Sequence, residues 1–148
     1  MKFSITFLDS NIIETQWDSF VLTMNRLTKI GDLDIAKAKK ILSKINKQNW
    51  HIWVAVDDNT KEVIWTIKLQ IEQKFQYEWS LSANIEEVVT RDWYDGIWIW
   101  SALVVNAIEF AKQKKVYKII LACDEKLIPF YEKFSFQKKE HTMKLYLK

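Results

Sequence analysis

Residues 83–122 read ANIEEVVT-RDWYDGIWIW-SALVVNAIEFAKQK-KV-YKIILA, and the hydrophobic rhythm changes three times along them. Residues 83–90 alternate as a strand does. Residues 101–114 place Leu103, Val104, Ala107, Ile108 and Ala111 at three- and four-residue spacing, the inward face of a helix. Residues 117–122 form a short, largely apolar run of the kind buried on both faces of a sheet. Residues 91–100 connect the first strand to the helix.

Working outward towards the N-terminus, residues 62–72 and 51–56 read as two strands joined by the polar turn Asp57-Asp58-Asn59-Thr60, a hairpin. Before them lie a helix over 34–46, with Ile35, Ala38, Ile41, Leu42 and Ile45 inward, and a helix over 12–27 that Gly31 terminates. A strand over 4–8 begins the chain. Towards the C-terminus, residues 126–134 form a helix that tolerates Pro129 in its first turn, and 142–147 form a last strand. The order β-α-α-β-β-β-α-β-α-β predicts one α/β domain over residues 1–148, a mixed central sheet flanked by helices.

The 148 residues are 49% hydrophobic and 28% charged, within the range of a globular domain. The 22 basic and 19 acidic residues are interspersed, so the net charge of +3 argues against nucleic acid as a partner. The lysines of 37–47 and 112–115 read as solvated helix faces. No apolar run approaches membrane-spanning length, and Asp9 and Glu14 interrupt any signal-peptide core. A lone Cys123 forms no internal disulfide, which makes the reducing cytoplasm the expected setting. His51 and His141 are too few and too far apart for a metal site, so no metal is expected.

Four ordered segments carry a resemblance. They are Leu27-Thr28-Lys29-Ile30-Gly31; the run from Ile71-Glu72-Gln73-Lys74-Phe75 to Asn84-Ile85-Glu86-Glu87-Val88-Val89; Val116-Tyr117-Lys118-Ile119-Ile120-Leu121-Ala122-Cys123-Asp124-Glu125-Lys126; and Phe130-Tyr131-Glu132-Lys133-Phe134-Ser135-Phe136. Their types and spacing resemble the glucosamine-6-phosphate N-acetyltransferases, members of the GCN5-related (GNAT) superfamily. The resemblance implies the GNAT fold, acetyl-CoA as cosubstrate, an amino-sugar phosphate as acceptor and a homodimer that completes the sugar site from both subunits. It makes Cys123 a buried strand residue.

Acyl transfer to an amine needs a neutral amine held beside the thioester, donors for the oxyanion and a proton for the leaving thiolate. By the resemblance, Glu87 orients or deprotonates the amine and Tyr131 protonates the coenzyme sulfur. Backbone N–H groups of Val88 and Val89 bind the acetyl and pantetheine portions, and the loop Asp95, Gly96, Ile97, Trp98, Ile99, Trp100 and Ser101 receives the pyrophosphate at a helix N-terminus. Glu86, Thr28, Lys74 and Tyr77 line the sugar-phosphate side, with Lys74 supplying positive charge.

This loop departs from the superfamily pattern Q/R-x-x-G-x-G/A at Asp95, Trp98 and Trp100. Asn84, Leu127 and Ala122 also replace the family's histidine, asparagine and aspartate. Glycine supplies roughly 7% of an average chain, about ten residues here, whereas this one has two glycines and eight tryptophans. Trp50, Trp65, Trp93, Trp98 and Trp100 stand in contexts that suit glycine, the pattern expected where a UGA codon read as glycine in some lineages is rendered as tryptophan. Two other readings remain open: acetylation of a different small amine or a protein N-terminus, and an inactive, tryptophan-rich binding protein.

Overall fold

The computed structural model describes residues 2–91 and 96–147, without the side chain of Ile97. The elements run β1 (Phe3–Phe7), α1 (Ser10–Thr15), α2 (Trp17–Met24), α3 (Ile35–Lys47), β2 (Trp50–Asp57), β3 (Val63–Gln73), α4 (Gln76–Trp79), β4 (Leu81–Thr90), α5 (Ile97–Gln113), β5 (Val116–Leu121) and α6 (Ile128–Glu132). The five strands lie in the order β1-β2-β3-β4-β5. The first four are antiparallel neighbours, and β5 joins β4 in parallel.

Side chains alternate across a strand, and here both faces of the sheet are covered. On one face Ile67, Leu69, Ile71, Ala83 and Ile85 meet Ile99, Leu103, Val104, Ala107 and Ala111 of α5, with Phe130 and Tyr131 of α6 at the end of the same core. On the other, Ile52, Val54 and Val63 pack against Ile12, Ile13, Ala38 and Leu42 of the N-terminal helices. Each such aliphatic side chain contributes about 1.5–3 kcal/mol when fully buried. The α1 and α3 helices start where Asp9 accepts from the Ile12 N–H at 2.8 Å and Asp34 from the Lys37 N–H at 2.7 Å.

Two hydroxyls of α2 tie it to the sheet at one residue. Ser19 Oγ accepts the Val63 N–H at 3.0 Å, and Thr23 Oγ1 donates to the Val63 carbonyl at 2.9 Å, both in buried surroundings.

Several sequence expectations need correction. The helix expected over 12–27 is two helices, because Gln16 leaves helical geometry (φ −126°, ψ 22°) and ends α1 before α2 starts. That break is invisible to periodicity, since apolar positions continue through it. The α2 helix ends at Met24, so Gly31 is not its terminator; it adopts φ 82° in the following loop. The α5 helix starts four residues earlier than expected, at Ile97, and buries Ile99 in the core. Residues 126–134 are a 3-10 turn, Glu125–Leu127, followed by α6.

No strand forms over 142–147 among the described residues, because no neighbouring strand pairs with it. Its Met143, Leu145, Tyr146 and Leu147 are at least 80% exposed. The β5 strand is consequently open, with Tyr117 and Ile120 about half exposed, rather than buried on both faces. Cys123 lies beyond β5 and is exposed, which corrects its expected burial in a strand. No helix among the described residues is long and apolar enough to cross a membrane.

Removing one partner of a buried hydrogen bond strands the other. Thr23→Val and Ser19→Ala are each expected to lower unfolding free energy by about 1–3 kcal/mol, read from urea denaturation followed by circular dichroism. Wild-type stability in both would remove the Val63 link as a structural element.

Candidate active site

The centre of the site is an irregularity in β4. Thr66 pairs with Val89 and Lys68 with Glu86, so two steps along β3 oppose three along β4. The extra residue is a β-bulge, and Glu87 takes it up with φ 51° in the left-handed region. A side chain there costs roughly 1–2 kcal/mol. Two contacts hold it: the Thr66 hydroxyl donates to the Glu87 carbonyl at 3.1 Å, and Lys68 Nζ lies 2.7 Å from Glu87 Oε1.

Lys68 was not singled out by sequence reasoning, yet it organises the charges. It is nearly buried, sits 3.9 Å from Glu86 Oε2 as well, and lies 4.2 Å from the centre of the Trp50 ring. The signal was a lysine within the apolar run Ile67-Lys68-Leu69, at a position facing away from the α5 core. Asn84 Nδ2 donates to Glu86 Oε1 at 2.8 Å, so Glu86 is held from both sides.

The bulge also ends a partnership. Pairing between β4 and β5 runs from Leu81 opposite Val116 to Ile85 opposite Leu121, and no pair beyond Ile85 joins the two strands among the described residues. Val88 and Val89 lie on the part of β4 past that point. Tyr131 of α6 is buried in the core against which Val88 packs, with its ring 5.9 Å from that of Trp100. Burial pushes the Tyr131 phenol up to about 12, so it keeps its proton throughout the neutral range.

The residues expected around the sugar phosphate are spread out. Lys74 and Tyr77 lie at the β3–β4 connection, where Gln73 pairs with Leu81. That is five residues along β3 from Lys68, about 17 Å at the usual rise of a strand. Lys74 Nζ is 2.6 Å from Glu72 Oε2, and Tyr77 stacks on Tyr117 of β5 at 4.3 Å. Thr28 follows α2, its N–H donating to the Met24 carbonyl at 3.3 Å. One chain therefore gathers Glu86, Glu87 and Lys68, but leaves Lys74 and Tyr77 at the other end of the strand pair.

The loop expected to receive a coenzyme pyrophosphate leads into α5. Asp95 lies outside the described residues. Gly96 is the N-cap, and its carbonyl accepts from the N–H groups of Ile99 at 3.0 Å and Trp100 at 3.3 Å. Ile97, Trp98, Ile99, Trp100 and Ser101 all belong to the helix itself. The indole of Trp98 folds back over the cap. Its Nε1 lies 2.8 Å from where a Cβ on Gly96 would stand, and its ring is 4.8 Å from Phe3.

Trp100 points the other way, with its ring 4.3 Å from Phe130 and 5.7 Å from Trp65. The two indoles thus occupy the end of α5 and the space in front of Tyr131. A dinucleotide-sized coenzyme approaching that helix end would meet them before it reached the backbone, so the residues at 98 and 100 do not fit the expected group.

No protein-family model matches the chain. It is 32% identical over 107 residues to glucosamine 6-phosphate N-acetyltransferase 1 of Dictyostelium discoideum, a match covering 71% of this chain and 68% of that protein. Over 125 residues it is 28% identical to a probable glucosamine 6-phosphate N-acetyltransferase of Drosophila melanogaster, which covers 83% of this chain but only 57% of the relative's length. Among solved structures, a Trypanosoma brucei acetyltransferase superposes with a TM-score of 0.91 at 26% identity, over 99% of this chain and all of that one. With that fold, and with identity of this level over two thirds of a relative, the chain belongs to the glucosamine 6-phosphate N-acetyltransferase family of the GNAT superfamily.

Proposed function

We propose that this protein, with the indoles at 98 and 100 replaced by glycine, is an acyltransferase that moves the acetyl group of acetyl-CoA onto the amine of glucosamine 6-phosphate, within a single domain working in the cytoplasm. The observation that carries the reading is the β4 bulge. It sets the Glu87 carboxylate on a fixed backbone, beside a nearly buried lysine, where β4 stops pairing with β5. Family membership supplies the reaction class, and the bulge supplies a place for its chemistry.

In this reading Glu87 accepts or orients the amine proton, and Glu86 contacts the sugar. Lys68 keeps the Glu87 carboxylate in position, and Tyr131 provides a proton to the leaving group of the acyl transfer. Val88 and Val89 present backbone to the acyl group. A phenol held at about 12 stays protonated up to well above neutral pH, which is the state an acid requires. Because Lys74 and Tyr77 lie far along the strand pair from Glu87, the sugar phosphate is bound by residues from two subunits of a homodimer. The exposed Met143, Leu145, Tyr146 and Leu147 supply apolar surface for that association.

A second reading, an acetyltransferase-like binding protein without transfer, is favoured by one observation only: the indoles of Trp98 and Trp100 over the start of α5.

The deciding assay is thiol release from acetyl-CoA with glucosamine 6-phosphate as acceptor, using protein with glycine at 98 and 100. Release that depends on this acceptor supports the assignment; folded protein that binds acetyl-CoA yet releases no thiol sinks it. In the active protein Tyr131→Phe is expected to lower kcat by roughly 100- to 10,000-fold, and wild type should hold its rate into mildly alkaline solution. Lys68→Met should lower kcat/KM by about 10- to 100-fold, with Lys68→Arg restoring part of the loss. An unchanged kcat/KM in Lys68→Met would mean that the lysine has no part in positioning the Glu87 carboxylate. Deleting residues 142–148 is expected to shift the protein from dimer to monomer in sedimentation; an unchanged dimer would place the interface elsewhere.

A further inference from the structure

Three observations around the start of α5 point the same way. The first is the covered helix end. The α5 helix has Gly96 as its N-cap with no side-chain cap and no acidic residue in its first turn, so among the described residues no side chain compensates its N-terminal dipole. The Trp98 indole lies across that end, half exposed, with Nε1 and Cδ1 at 2.8 and 3.1 Å from the position a Cβ on Gly96 would take. A large apolar ring left half in water over a helix terminus contributes little to the core.

The second observation is an orphaned donor. Trp100 buries its indole Nε1 among Trp65, Phe130 and Tyr131, where its one polar neighbour, the Tyr131 oxygen, is near enough to oppose the rise of that phenol but not placed for a well-formed hydrogen bond. Buried tryptophan nitrogens ordinarily find a partner, and one left without carries a desolvation penalty. A sequence selected to carry tryptophan here would be expected to provide an acceptor. The third observation is compositional: two glycines beside eight tryptophans in 148 residues.

Trp17, Trp53 and Trp79 behave differently. Trp53 is buried with its ring 4.9 Å from Phe7 and 5.0 Å from Phe110, and Trp17 packs against Phe20 and the second core. Both are ordinary core residues. Trp79 has φ 66°, but Tyr77 and Glu78 beside it share the left-handed region, so the conformation there is not a mark of glycine at 79 alone. Positions 98 and 100 differ in that both indoles stand in the space the acyl donor needs.

We infer that the cell producing this protein decodes positions 98 and 100 as glycine, and that indoles at these positions close the donor site. This rests on the acetyl-transfer reading above. Glycine at 98 removes the ring over the α5 cap, so that backbone N–H groups at the helix end can meet a diphosphate closely. Glycine at 100 removes the unpartnered indole and opens the space in front of Tyr131.

The test reads residue identity and binding separately from catalysis. The tryptic peptide that follows Arg91 and ends at Lys112, from protein purified out of its own source cells, is sequenced by tandem mass spectrometry. Glycine at 98 and 100 is expected; tryptophan at either overturns the inference. In parallel, acetyl-CoA is titrated calorimetrically into the chain with both indoles and into the Trp98→Gly/Trp100→Gly variant, each confirmed folded by circular dichroism. The indole chain should bind at least roughly 100-fold more weakly. Equal affinity would show that the indoles do not close the site. A glycine variant that binds acetyl-CoA but acetylates no glucosamine 6-phosphate would fail the functional assignment while leaving this inference standing.

Discussion

The geometry of the site depends on β4 having two unlike neighbours. It follows β3 antiparallel along most of its length, but accompanies β5 in parallel only from Leu81 to Ile85. A strand cannot keep perfect register with both once an extra residue is inserted, and the bulge at Glu87 is where the register to β3 shifts. The same residue that strains the backbone carries the carboxylate that Lys68 holds, so strain and buried charge coincide at one position. Rigid cores on both faces, α5 and α6 on one and α1 to α3 on the other, hold the sheet while this strand departs from ideal pairing.

Electrostatics follow from that placement. Lys68 faces away from the α5 core, and its burial is tolerable because Glu86, Glu87 and the Trp50 ring surround the ammonium. Tyr131 has the opposite situation: a neutral group in an apolar place, whose desolvation strengthens its hold on the proton. A charged cluster and a protonated phenol thus arise from one difference, whether burial comes with compensating charge.

Much of the fold was legible because the alternation of β2, β3 and β4 and the helical spacing of α3 and α5 are strong local signals. The β2 and β3 strands begin and end within a residue of the sequence expectation, and β4 begins two residues before it. What was not legible depended on partners. Residues 142–147 alternate like a strand, but a strand exists only with a neighbour to receive its hydrogen bonds, and this chain offers none there. The break at Gln16 leaves no trace in the apolar pattern. Of the site, the adjacent Glu86 and Glu87 could be read from motif spacing, whereas the bulge and the role of Lys68 required the cross-strand register. The early start of α5 is not legible because the alternation Ile97-Trp98-Ile99-Trp100 has no helical spacing of its own, although no proline there prevents a helix.

The hydroxyls that join α2 to Val63 belong to a longer mechanical chain. From Met24 at the end of α2, Sδ lies 3.4 Å from the Thr66 hydroxyl, which in turn donates to the Glu87 carbonyl. With Ser19 and Thr23 bonded to the start of β3 at Val63, α2 is joined to β3 at two places, Val63 and Thr66. The segment between Met24 and Ile35, by contrast, belongs to no helix or strand. The Glu87 carboxylate is thus anchored to the sheet through β3, whereas Gly31 turns the connecting segment with a φ of 82° that a residue with a Cβ rarely adopts.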